Sequence, residues 1–230
     1  MDFLLNNSAY LWLAATIVIF CATSLLKKRI KFSLWNPLLI TIACMIMLLK
    51  CTNTSYDTYS QGTVFISSLL TPATVCLAIP LYEQLHILKH NWRAILGGIL
   101  AGVFANAIGI WILSKLFRLT HIEYVTLLPK SVTTAIGMAI SQELGGVAAI
   151  TVAAILITGI LGQLLAETVF KLFRIHDPVA KGIAIGTSSH AIGTVKAMEL
   201  GEIEGAMSSL AIAVTGLLTV ILSSVFAQFL

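Results

Sequence analysis

The stretch GTSSHAIGTVKAMELGE, Gly186 to Glu202, carries serines, threonines, a histidine, a lysine and two glutamates between apolar flanks. It has the length of a membrane span but not the composition of one. Polar and ionisable groups at membrane depth are costly unless protein or water satisfies them. Glycines at 186 and 193 bracket the polar core. The stretch therefore reads as an interrupted helix inside a bundle, and the rest of the chain shows whether it stands alone.

Of 230 residues, 58% are hydrophobic and 10% charged, and the mean hydropathy is +0.96. A soluble domain carries about 25% charge. Lipid is thus the expected solvent. The runs are long enough to cross as helices and lack the short polar–apolar alternation of an outer-membrane barrel. The expected fold is an all-α membrane protein. Net charge is +4, yet the basic residues sit in short loops, so no nucleic-acid partner is expected. KKRIK, Lys27 to Lys31, follows the first apolar run and marks a cytoplasmic loop. The first eight residues hold Asp2 and no Lys or Arg, a poor signal-peptide start, so the first run is expected to remain as an anchor. Cys21, Cys44, Cys51 and Cys76 have no metal or redox spacing and read as small hydrophobes. Asn53 opens a three-residue glycosylation pattern of little specificity.

Eight hydrophobic segments are expected: Ala9–Leu26, Pro37–Lys50, Gly62–Tyr82, Ala94–Leu116, Val125–Glu143, Val147–Phe173, Val179–Leu200 and Ala206–Leu230. No linker divides them, so one polytopic domain, 1–230, is expected. Segments four, six and eight read as plain spans. Gly98 with Gly102, and Gly159 with Gly162, are expected to let helices approach closely. Segments three, five and seven have polar, Gly- or Pro-broken centres, and such backbone survives at depth only inside protein or beside a cavity.

Segments five and seven resemble each other at an offset of 56 residues. KLFRL at 115–119 answers KLFRI at 171–175, TAIG ending at Gly137 answers HAIG ending at Gly193, and ELG at 143–145 answers ELG at 199–201. An N-terminal hairpin (1–60) followed by repeat units 62–118, 125–174 and 179–230 is the expected organisation. Gly/Pro-interrupted segments in matching positions point to a secondary transporter and its site. Whether they cross or turn back stays open, because the basic residues do not separate the alternatives.

No phosphate-binding loop, HExxH or clustered metal ligands occur, so neither enzyme activity nor a metal or cofactor is expected. His190, after Thr187, Ser188 and Ser189, is expected to line a substrate path, and as a group titrating near neutrality it is the candidate for proton coupling. Lys130 follows Pro129 and is expected to snorkel to an interface. Lys196 has two open readings, an ion pair with Glu199 three residues on or a cationic contact for an anion. Glu143 and Glu199 each precede a glycine expected to cap its helix, and Glu167 with Lys171 reads as a surface pair. Hydroxyls, broken-helix ends and a cation suit a small carboxylate.

TPATVCLAIPLYEQLHILKHNW, LLPKSVTTAIGMAISQELGG and GIAIGTSSHAIGTVKAMELGE resemble the LrgB/CidB family of bacterial membrane proteins from Thr71 to the C-terminus. Thr71 stands where some relatives carry an acid. The resemblance implies either transport of small carboxylates, through kinship with the plastid glycolate/glycerate translocator, or holin/antiholin-like control of murein hydrolases beside a small LrgA/CidA-type partner. The broken segments favour transport. The expected substrate-binding residues are Thr74, Ser131, Thr133, Thr134, Thr187, Ser188, Ser189, His190 and Lys196, in a homodimer of the bacterial cytoplasmic membrane.

Overall fold

A computed structural model describes residues 9–29, 37–69, 72, 75–76, 78–83 and 85–230. Among these the chain is all-helical, with 87% helix and no strand. The elements are α1 (Ala9–Arg29), α2 (Pro37–Cys51), α3 (Tyr56–Gly62), α4 (Val64–Ser68), α5 (Ala78–Glu83), α6 (Leu85–Phe117), α7 (His121–Leu127), α8 (Thr134–Glu143), α9 (Ala148–Leu172), α10 (Pro178–Leu200) and α11 (Glu202–Phe226). Among the described residues four helical stretches are long and apolar enough to cross a membrane: Tyr10–Lys27, Lys89–Phe117, Ala148–Leu172 and Glu202–Phe229. The apolar helix Pro37–Cys51 is shorter, at 15 residues.

Two compact units divide the chain, Met1–Cys76 and Leu77–Leu230. In the first, α1 and α2 pair through the Thr23 and Thr41 hydroxyls, 2.9 Å apart. Trp12 is buried against the edge of Tyr59, ring centroids 6.3 Å apart.

In the second unit α6, α9 and α11 are the long helices, and local signals set the ends of the shorter ones. Thr120 and Glu123 form a capping box that starts α7, each satisfying an orphan N–H of the other's backbone. Hydrogen bonds from the Thr120 backbone, and then its hydroxyl, hold the Glu123 carboxylate below its ordinary range. Asp177 caps α10, with Pro178 at the first helical position. The two KLFR sequences end α6 and α9 alike. Arg118 and Arg174 take left-handed φ of 53° and 52°, and the next N–H reaches back five residues, Leu119 to Ser114 and Ile175 to Phe170, at 2.9 Å each. Gly145 closes α8 with φ 79°. Gly201 ends α10 in extended backbone, so only the first ELG forms a left-handed cap.

Segment seven turns back on itself. His190 leaves helical geometry at φ 42°. Gly186 and Thr194 would lie ~12 Å apart along a straight helix, yet both meet Ser208, Gly186 at its backbone and Thr194 by a 2.7 Å hydroxyl contact. Gly182 lies against Glu204 and Met198 against Gly205, although straight helix would part 182 from 198 by ~24 Å. Residues 178–189 and 191–200 are therefore the arms of a hairpin with His190 at its tip.

Segment five turns back as well, through 128–133. Thr151 Oγ1 lies 2.9 Å from the Thr126 carbonyl of α7, to which it can donate, and 2.7 Å from Ser141 Oγ of α8. That places the end of α8 beside α7, both against the first turn of α9. The hairpins enter from opposite ends of α11. Tyr124 of the first donates to the Phe226 carbonyl at 2.8 Å, whereas Gly182 of the second abuts Glu204. Those two anchor points are ~33 Å apart along the helix.

Candidate functional site

Both hairpin tips reach the middle of α9. Gly159 and Gly162 leave room there for the second tip: a methyl on Gly159 would come within 2.9 Å of the His190 ring, and one on Gly162 would overlap Ser189. His190 is buried. A carbonyl can only accept, so its Nε2–H donates to the Ile155 carbonyl across 3.0 Å. That bond fixes the ring tautomer and ties the tip to α9.

Beside this contact lies a cavity of ≈ 300 Å³. Its polar wall is Lys130 from the first tip, Ser188 and Ser189 from the second, and Thr158 with Gly162 from α9. The rest is apolar, running from Leu165 to Phe170 along α9 and over Ala184 and Ile185. Lys130 Nζ donates to Ser131 Oγ at 3.0 Å, and Ser131 donates to Asn106 Oδ1 of α6 at 3.0 Å. Among the described residues no carboxylate pairs with Lys130. Ser188 donates to the Ala184 carbonyl at 2.6 Å and meets Ser189 Oγ at 3.1 Å. The cavity thus offers one ammonium, three hydroxyls and an apolar wall, the inventory for a small organic anion.

The residues singled out in sequence divide as follows. Thr74 lies outside the described residues. Ser131, Ser188 and Ser189 are at the tips. Thr133 and Thr134 start α8 half-buried beside the first tip, and the Thr133 side chain makes no capping bond. Thr187 faces α6: its hydroxyl donates to the Ile183 carbonyl at 2.7 Å, and a methyl on Gly102 would come within 3.0 Å of it. His190 is the turning residue behind Ser189.

Lys196 sits on the returning arm, paired with Glu167 of α9 at 2.6 Å and with Glu199 at 3.3 Å. Of its two open readings the geometry shows the ion pair. Glu167 also holds Lys171 at 3.8 Å, the expected i,i+4 pair. The Lys196 ion pairs hold the Glu167 carboxylate's neighbourhood together between α9 and the second hairpin. Lys130 departs from its expected place at an interface. Pro129 introduces the turn of a hairpin rather than a span end, which carries the lysine to the tip. Asn106 escaped notice in the sequence, although a lone amide amid VFANAIGI is the signal that marks a functional group in a span.

The model of the LrgB-like family matches residues 16–229. Curated relatives named "Antiholin-like protein LrgB" from Bacillus mycoides (strain KBAB4), Bacillus cereus (strain B4264) and Bacillus anthracis (strain CDC 684 / NRRL 3495) are each 36% identical over 222 residues, covering 96% of this chain and 96% of theirs. No solved structure matches the chain.

Proposed function

This chain belongs to the LrgB-like family, and we propose that it works as a carrier of small carboxylates of the pyruvate, glycolate and lactate class across the bacterial cytoplasmic membrane. The observation that carries the reading is the meeting of two hairpin tips at a cavity with a cation that no carboxylate among the described residues neutralises. Helix starts at Thr134 and after His190 lie at those tips, and their positive dipole ends favour an anion. The apolar wall suits a short alkyl group.

The architecture that goes with this reading has eight hydrophobic segments, in which a broken segment plus a span repeats. Contacts recurring 56 positions apart support it. Gly137 faces the Pro129 carbonyl as Gly193 faces that of Ile185, and Arg118 caps as Arg174 does. Opposed entry of the two hairpins is what inverted units would produce. Proton coupling through His190 and a homodimer belong to the same proposal.

The test is uptake of labelled pyruvate, glycolate and lactate into proteoliposomes, with and without a pH gradient. Saturable uptake is expected. Lys130→Ala should weaken apparent affinity about 10- to 100-fold, the worth of a charge-assisted hydrogen bond of about 1.5–3 kcal/mol. Absence of flux for every acid, with monodisperse protein, would sink the carrier.

A second reading, a regulator of murein hydrolase activity acting with an LrgA/CidA-type partner, draws on the antiholin-like name of the relatives. Such a regulator would co-purify with that partner and tolerate Lys130→Ala.

A further inference from the structure

Asn106 is a polar side chain on the long apolar helix α6, half-buried in the bundle. It touches the first hairpin twice. Its Nδ2 lies 3.4 Å from the Leu128 carbonyl, and its Oδ1 lies 3.0 Å from Ser131 Oγ. The carbonyl can only accept, so the amide is locked with nitrogen toward Leu128 and oxygen toward Ser131. Ser131 has one hydroxyl proton, and the amide oxygen takes it. The serine's lone pairs are then left for Lys130, whose Nζ sits 3.0 Å away.

We propose that Asn106 is the positioning residue of the cavity's cation: its amide orients the Ser131 hydroxyl so that it accepts from Lys130, and so holds the ammonium at the cavity with its remaining N–H groups turned to an anion. This rests on the carrier reading for its meaning. The geometric chain of three residues stands without it. Leu128 caps α7, so the same amide also holds the turn that presents Lys130. One side chain thereby sets both the backbone of the tip and the direction of its charge.

Two variants separate positioning from bulk stability. Asn106→Asp is isosteric, but its carboxylate cannot donate to Leu128 and places a negative charge one hydroxyl away from Lys130. Asn106→Ala removes both bonds and leaves the Ser131 proton free to turn. The first readout needs no substrate. Purified protein in detergent is treated with an amine-acetylating ester, and acetylation of Lys130 and of Lys115 as control is followed by mass spectrometry. Asn106→Ala should raise the Lys130 rate at least threefold, because the ammonium has lost its fixed acceptor. Asn106→Asp should lower it at least threefold, because the carboxylate keeps the amine charged and unreactive. Ser131→Ala should match Asn106→Ala, and the double variant should add nothing. Rates that shift in one direction in both variants, or not at all, would overturn the proposal, since a merely structural amide predicts a common loosening.

The second readout is pyruvate uptake. Asn106→Asp is expected to raise KM at least tenfold with maximal rate within twofold of wild type. An unchanged KM in an active carrier would also overturn the proposal. If wild type carries nothing, the carrier reading fails by itself, and acetylation still decides the role of Asn106.

Discussion

His190 adopts φ 42°, a region that a side chain enters at a cost because Cβ crowds the backbone. The cost is met by the bond to the Ile155 carbonyl and by close packing on Gly159. Two substitutions part these effects. His190→Gly loses the bond but relieves the backbone, whereas His190→Ala loses the bond and keeps the strain. The alanine variant is expected to be the less stable by about 1 kcal/mol, measured as the difference in thermal unfolding midpoints in detergent. Equal stabilities would mean that the turn is not strained. Composition alone marks this histidine as special, because it sits between glycines in a polar stretch of an apolar chain. What it cannot convey is that the backbone reverses there. A reversal depends on contacts between residues 182–198 and 204–208, and no local pattern encodes those.

At the scale of elements, the hairpins dock through missing side chains. A methyl at Gly162 would occupy the place of Ser189, and one at Gly186 would strike the Ser208 backbone. Gly97 and Gly109 of α6 have open space around them. Gly162→Ala is therefore expected to destabilise by about 1–3 kcal/mol, the usual cost of overpacking, and to loosen Ser189 at the cavity. Gly97→Ala should be neutral or stabilising by up to about 1 kcal/mol through helix propensity. A thermal-shift series in one detergent compares them, and a harmless Gly162→Ala would contradict the close approach. The small-residue pairs at 98/102 and 159/162 are legible from spacing, as are the capping box at Thr120 and the Asp-Pro start of α10. Their partners are not. Gly98 and Gly102 receive Ile183 and Thr187, more than 80 residues on, and only the fold brings them together. For the same reason the Glu167 partner of Lys196 was hidden, while the nearer Glu199 was visible at helical spacing.

For the whole molecule, the hairpins decide a question that charge counting leaves tied. Within Leu77–Leu230 the lysines and arginines near the helix ends form two groups: Lys115 and Arg118 at the end of α6, and Lys89, Arg93, Lys171, Arg174 and Lys181 elsewhere. Were segments five and seven to cross, the loop after α9 would share a side with the loop after α6. Because they turn back, it shares a side with the start of α6 instead. The split is five against two either way, but turning back moves the majority to the side where α6 starts, and the positive-inside rule assigns that side to the cytoplasm. The orientation expected from this has the second hairpin entering from the cytoplasm and the first from outside. The cavity runs from the tips toward Phe170, at the end of α9 beside the base of the second hairpin, so in the expected orientation it opens toward the cytoplasm. Single cysteines test this in a background with Cys21, Cys44, Cys51 and Cys76 changed to serine. Lys115→Cys should react with a membrane-impermeant maleimide in intact cells, whereas Lys181→Cys and Ser188→Cys should react only in inside-out vesicles. Labelling of both loop positions from one face would mean that α9 and the second hairpin are not disposed as a span and a turn. Labelling of Ser188→Cys from outside alone would reverse the expected opening of the cavity.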